Sequence, residues 1–162
     1  MDKVQEVRDG DRNLVFHGES IAFSTSLNTR SKGRWIEFEL FRTDAGAYVL
    51  SRTGQTRFVH AVDCHIAERN GLDVYGIDEV GSLDGLYTCP ECTINLQADD
   101  EFCPELPRYW AMRFYTAEDV VQALHKRDDR GNMYLTNVAR DLLAEAAEVD
   151  QGIEGAYYSQ II

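Results

Sequence analysis

No stretch of the chain reaches the run of about 18 apolar residues that a membrane-crossing helix requires. The polar start MDKVQEVRDGDRN also lacks the apolar segment of a secretory signal. Together these absences predict a cytoplasmic protein with no membrane partner. A Pro/Gly-rich linker is missing too, which leaves the 162 residues to form one domain, long enough to bury roughly 70% of the surface of its unfolded chain. Neither a phosphate-cradling P-loop nor a Gly-x-Ser-x-Gly elbow occurs, and the spacing of His60, Asp63, His65 and Glu68 matches no catalytic zinc motif. The expectation is a protein without catalytic activity.

Positive charge is scarce as well. Against 16 Lys and Arg stand 28 Asp and Glu, a net charge of −12, yet 44% of the residues are hydrophobic, so the chain has the apolar content to fold. The imbalance is local: residues 1–60 carry +1 and residues 61–162 carry −13. A surface this acidic repels nucleic-acid phosphates and draws in basic surfaces. The expected partner is a protein with a basic surface, a nucleic-acid-handling protein among the candidates, which the acidic half would regulate or inhibit. Solubility alone is the plainer use of the same charge.

What the chain does hold is four cysteines in one stretch, Cys64, Cys89, Cys92 and Cys103. Cys89-Pro90-Glu91-Cys92 is a knuckle that lets two thiolates face one point, and Cys103-Pro104-Glu105 resembles a second knuckle with its last cysteine missing. In a reducing compartment such a cluster points to metal ligands or redox thiols rather than disulfides. Structural zinc held by Cys64, Cys89, Cys92 and Cys103 is the expectation, with His65 or His60 as the substitute ligand. Its binding would become folding free energy, on the order of 10 kcal/mol. A thiol redox enzyme at Cys89 and Cys92 is an alternative, but Thr93–Asp100 makes a poor helix start and no βαβ pattern precedes the motif. Cysteines that merely pack are the remaining option.

The sharpest basic feature is the loop with Arg30, Lys32 and Arg34 beside Trp35, which could contact phosphates and stack a base. A nucleic-acid-binding adaptor using this loop is therefore a further alternative, with binding that is weak or indirect given the acidic remainder.

The texture around these motifs predicts an α+β domain. Leu14–Phe23 reads as a bent strand or two short ones. In Trp35–Phe41 the residues Ile36, Phe38 and Leu40 alternate with Glu37 and Glu39, the period of a strand with one wet face. A turn at Thr43–Gly46, a strand at Tyr48–Leu50, a turn at Thr53–Gln55 and a strand at Arg57–Val62 complete an antiparallel meander over 12–62. Periodicity fades through a cysteine-rich insert over 63–107, where zinc would organise the chain. Over 108–162 come a strand with Trp110, Met112 and Phe114 on one face, then two or three helices packed on one side of the sheet. Thr116 is placed to cap the first helix, which carries Val120, Val121 and Leu124 and stops at Lys126–Gly131. The second carries the stripe Leu135, Val138, Leu142, Ala146 and Val149. Gly152 is expected to interrupt before a last short helix through Ala156, Tyr157 and Ile161.

The segment from Arg34 to Thr43, continued by Gly46 to Gly54, and the tail around Tyr134-Leu135-Thr136 resemble stretches of small uncharacterised proteins of actinobacteria, their plasmids and phages. The resemblance covers about half of the chain and implies no activity and no functional residue.

Overall fold

A computed structural model describes residues 3–27, 33–61, 87–88 and 102–158. Among the described residues the elements in chain order are β1 (Val4–Asp9), β2 (Arg12–Thr25), β3 (Arg34–Thr43), β4 (Tyr48–Thr56), β5 (Phe58–Ala61), β6 (Tyr87–Thr88), β7 (Phe102–Pro104), β8 (Arg108–Phe114), α1 (Ala117–Leu124), β9 (Lys126–Arg127), β10 (Met133–Tyr134), α2 (Asn137–Ala147) and α3 (Gln151–Tyr158). The chain divides into two compact units. One comprises residues 1–26, 36–53 and 109–162, the other residues 27–35 and 54–108.

The architecture is α+β. An antiparallel meander of order β1-β2-β3-β4-β8 is followed by three helices. Alternation in β3 sorts its side chains as the sequence predicts. Ile36, Phe38 and Leu40, joined by Tyr48 and Leu50 from β4, face the helices and pack against Val120, Leu142, Leu143 and Ile153. Full burial of each Leu or Ile here contributes about 1.5–3 kcal/mol. Thr116 caps α1 by accepting the Asp119 N–H, as expected, and Thr136 caps α2 in the same way through Ala139. The second helix is fastened to β2 by Ser24, whose hydroxyl donates to the Val138 carbonyl at 2.8 Å.

On the sheet's other face lies a smaller core of Val7, Phe41, Val49 and Ala111, with Leu14 and Phe16 against it. It exists because β2 changes partners along its length. Residues 12–17 pair with β1 and residues 18–25 with β3. The change falls at Gly18, where a Cβ would collide with the Arg42 carbonyl oxygen, so only glycine allows the close approach. The hairpin made by β1 and the first part of β2 thus supplies Phe16, which meets Phe41 edge-on at 5.2 Å.

The turn of that hairpin also covers the outer edge of β8. Gly10, at φ +59°, donates its N–H to the Tyr109 carbonyl at 2.8 Å. The Asp9 carboxylate accepts the Ala111 N–H at 3.3 Å, and the Arg8 guanidinium lies 4.4 Å over the Tyr109 ring.

Several expectations change. The polar start forms β1, which buries only Val7 and so lacks a strand's apolar pattern. The turn expected at Thr53–Gln55 lies inside β4, and β5 leaves the meander for a second sheet of order β6-β5-β7. Of the apolar face expected on β8, Phe114 packs on the main core, whereas Trp110 and Met112 are exposed and Ala111 is buried on the opposite face. The stop expected at Lys126–Gly131 is instead the β9–β10 hairpin, with Gly131 in its turn at φ +82°. Val149 lies beyond the end of α2 and is exposed. Gly152 belongs to α3 rather than interrupting before it, because Asp150 caps that helix through the Ile153 N–H. Ile161 lies outside the described residues.

Candidate functional site

The small sheet of the second unit carries those sequence-predicted metal ligands that the structure describes. In its centre, β5 runs parallel to β6 and antiparallel to β7. The C-terminal ends of β5 and β6 and the N-terminal end of β7 therefore lie at one end of the sheet. The register sets Cys103 directly opposite His60, and Val59 opposite Thr88. Cys64, Cys89, Cys92 and His65 lie outside the described residues, as do Arg30 and Lys32.

His60 is buried completely. Its Nε2 lies 2.8 Å from Oε2 of Glu105, itself only 8% exposed. The two residues meet because the Glu105 N–H donates to the Phe58 carbonyl, which brings Glu105 onto the face of β5 that carries Phe58 and His60. Arg34 closes the chain of polar groups. Its guanidinium donates to the same Oε2 at 2.8 Å and stacks 4.6 Å over the Phe58 ring. A buried carboxylate is thus held between an imidazole and a guanidinium, which compensates its charge and aims the ring. Among the described residues no three His, Cys, Asp or Glu side chains converge as a metal group, so a zinc here needs thiolates from beyond them.

Trp35 stands beside this network under Arg57, whose guanidinium is 4.9 Å from the ring centre. The indole Nε1 is buried and meets no acceptor among the described residues. Of the predicted phosphate-contacting residues, Arg34 and Trp35 are thus each engaged within the second unit. Glu105 and Arg57 escaped the sequence reading. Glu105 stood in the incomplete knuckle Cys103-Pro104-Glu105, and only its contact with His60 reveals its role.

The first unit presents a charged face. Glu118 and Asp119 on α1, Asp141 and Glu145 on α2 and Glu154 on α3 are exposed, as is Glu148 at the end of α2, while Arg140 is the one basic residue of the three helices. Their buried stripes face the sheet, so the other carboxylates take the solvent side by helical periodicity, while Glu145 reaches back to accept the Phe23 N–H of β2 at 3.3 Å. The exposed cations Lys126, Arg127 and Arg130 sit on the β9–β10 hairpin. Elsewhere in this unit a groove of about 630 Å³ has Leu14, Phe16 and Val49 among its walls, and its polar rim mixes Asp44 with Arg113 and His17. It contains none of the site residues that the sequence predicts.

The perturbed ionisable groups are structural. Burial, followed by the hydrogen bond to Asp150, pushes the Tyr48 hydroxyl up to about 12. The Arg12 guanidinium, 2.6 Å from Asp9, holds that carboxyl below its usual value with help from the Ala111 N–H.

No protein-family model matches the chain, and neither a curated protein nor a solved structure is measurably similar to it.

Proposed function

We propose that this chain is a non-catalytic, zinc-stabilised interaction module of the cytoplasm whose acidic helical layer docks on a basic protein surface, that of a nucleic-acid-handling partner being the best fit, and so regulates or inhibits it. The observation that carries the docking is the near absence of cations from α1, α2 and α3, which with the C-cap Glu148 expose Glu118, Asp119, Asp141 and Glu154 against Arg140 alone. Rigid helices fix these carboxylates in a constant pattern, which raises association rate and selects for complementary charge. The zinc is supported by the opposition of His60 and Cys103 and by the strand ends that lead toward Cys64 and Cys89. Tetrahedral coordination by Cys89, Cys92, Cys103 and Cys64, with His60 or His65 as substitutes, would bind the small sheet together.

An adaptor that holds nucleic acid through Arg30, Lys32, Arg34 and Trp35 is less favoured, because Arg34 already directs its guanidinium to Glu105 and Phe58.

The test pairs two variants of equal net charge. In one, Glu118, Asp119, Asp141 and Glu148 become Gln or Asn; in the other, Asp11, Glu19, Asp44 and Asp129 do. Salt-eluted partners captured from host extract should be lost with the first variant and kept with the second. Equal capture by both would sink the docking face, and elemental analysis finding no zinc in the purified chain would remove the metal.

A further inference from the structure

We infer that the groove of the first unit binds a small zwitterion with an apolar body, the chemistry shared by a free apolar amino acid and a short apolar peptide, with Arg113 taking its carboxylate and Asp44 its ammonium group. This inference rests on neither the docking face nor the zinc.

Three observations carry it. First, the fold builds the groove. Residues 12–17 of β2 leave β3 to pair with β1, and so bring Leu14 and Phe16 against the small core of the sheet's outer face. Between this part of β2, the turn after β3 and the end of β8 remains a space of about 630 Å³. Sites for small molecules enclose about 300–1,000 Å³ and are walled mostly by apolar groups with a few polar ones. Here half-buried Leu14 and Phe16 and buried Val49 supply the apolar wall. Second, the rim is held in place. The Asp44 N–H donates to the His17 carbonyl at 3.0 Å, which fastens the turn to β2, and the Thr43 N–H donates to the Ala47 carbonyl at 2.8 Å, which closes the turn itself. Arg113 follows Ala111 by two residues, so strand alternation puts it on the same face as the small core. A rim fixed before the ligand arrives spares the cost of ordering it on binding.

Third, the rim carries one charge of each sign, and neither is neutralised. In this acidic chain Arg12, Arg34 and Arg42 each meet a carboxylate. Arg113 instead lies 5.4 Å over the Tyr115 ring and meets no carboxylate among the described residues, and Asp44 meets no cation among them. The two line one groove without pairing to each other. A ligand with a carboxylate alone would be attracted by Arg113 and repelled by Asp44, and an amine alone the reverse. A molecule bearing both charges is attracted at both ends, and its apolar body can cover Leu14, Phe16 and Val49.

Methyl NMR of the full chain, read at Leu14 and Val49, tests this with L-phenylalanine and L-leucyl-L-phenylalanine as probes. At least one of the two should displace these methyl signals in a saturable way at millimolar concentration. Saturation by the free amino acid identifies one source and saturation by the dipeptide alone the other. Phenylpropionate and phenethylamine, which each lack one charge, should bind about 5- to 10-fold more weakly than the better zwitterion, and Arg113→Gln and Asp44→Asn should each weaken that zwitterion by a similar factor. Arg127→Gln, on the β9–β10 hairpin, should leave its affinity unchanged. The inference is overturned if neither zwitterion moves the two methyl signals. It is equally overturned if a singly charged analogue binds as tightly as the zwitterion, a comparison that needs no variant.

Discussion

The Tyr48 hydroxyl donates to Oδ1 of Asp150 at 2.9 Å, and the same oxygen accepts the Ile153 N–H at 3.1 Å. One carboxylate thereby ties the centre of the sheet to the first turn of α3. Its other oxygen lies 3.5 Å from Arg42, whose guanidinium stacks 4.3 Å over the Tyr48 ring.

Asp150→Ala removes a helix cap and leaves the Tyr48 hydroxyl without its acceptor. A lost cap costs about 1 kcal/mol, and an unsatisfied buried hydroxyl about 1–3 kcal/mol. Urea unfolding should register a loss of roughly 2–4 kcal/mol from the two effects together. Tyr48→Phe keeps the cap and should lose no more than about 1 kcal/mol. Equal losses in the two variants would contradict the double role of Asp150.

The same pair makes stability depend on alkaline pH. The Tyr48 hydroxyl titrates at about 12 in the folded chain and at its ordinary value of 10.0 when unfolded. The folded state thus holds the proton more tightly. The resulting stability, on the order of 2 kcal/mol, is fully present below pH 10 and is lost as pH rises toward 12. Tyr48→Phe should flatten this part of the stability profile, as measured by denaturant midpoints.

Gly152 and Gly155 both lie in α3, yet alanine is expected to act on them in opposite directions. A Cβ at Gly152 would stand 2.6 Å from the Tyr48 hydroxyl and 3.1 Å from Asp150, whereas one at Gly155 meets nothing within 4 Å. Gly155→Ala should stabilise by up to about 1 kcal/mol through helix propensity. Gly152→Ala should destabilise by about 1–3 kcal/mol by forcing the side chains apart. Thermal melts of the two variants would show midpoints displaced to either side of the parent.

At acid pH the relevant group is Asp9. Its folded carboxyl titrates below the unfolded one, so the stability it adds is present above the ordinary carboxylate range and disappears as pH falls through the folded value. In Asp9→Asn the stability difference from the parent should shrink on acidification, and the Ala111 amide, which donates to Asp9, should exchange its hydrogen faster at neutral pH.

Much of the helical layer and the central sheet was legible in the chain. The alternation of Ile36, Phe38 and Leu40 and the cap at Thr116 are local signals, and periodicity alone assigns them. Features made by distant pairs were not legible. Nothing adjacent to Gly18 announces that β2 changes partners there, because the reason is the Arg42 backbone across the sheet. Gly54 reads as a turn until β4 carries it onward as strand, and Gly152 reads as a break until Asp150 caps the helix around it. At the candidate site, His60 and Cys103 were visible as ligand types, but Glu105 gained a role only when the backbone brought it beside His60. The remaining predicted ligands, Cys64, Cys89, Cys92 and His65, lie outside the described residues.

The contact of the Asp9–Gly10 turn with Tyr109 and Ala111 bears on how the molecule meets others. A last strand whose carbonyl and amide are already taken cannot template a visiting strand at those positions, which closes one ordinary route to fibrous self-association. A binding protein approaching at those two positions must engage side chains rather than zip onto backbone, so recognition there depends on charge and shape instead of on generic ladder formation.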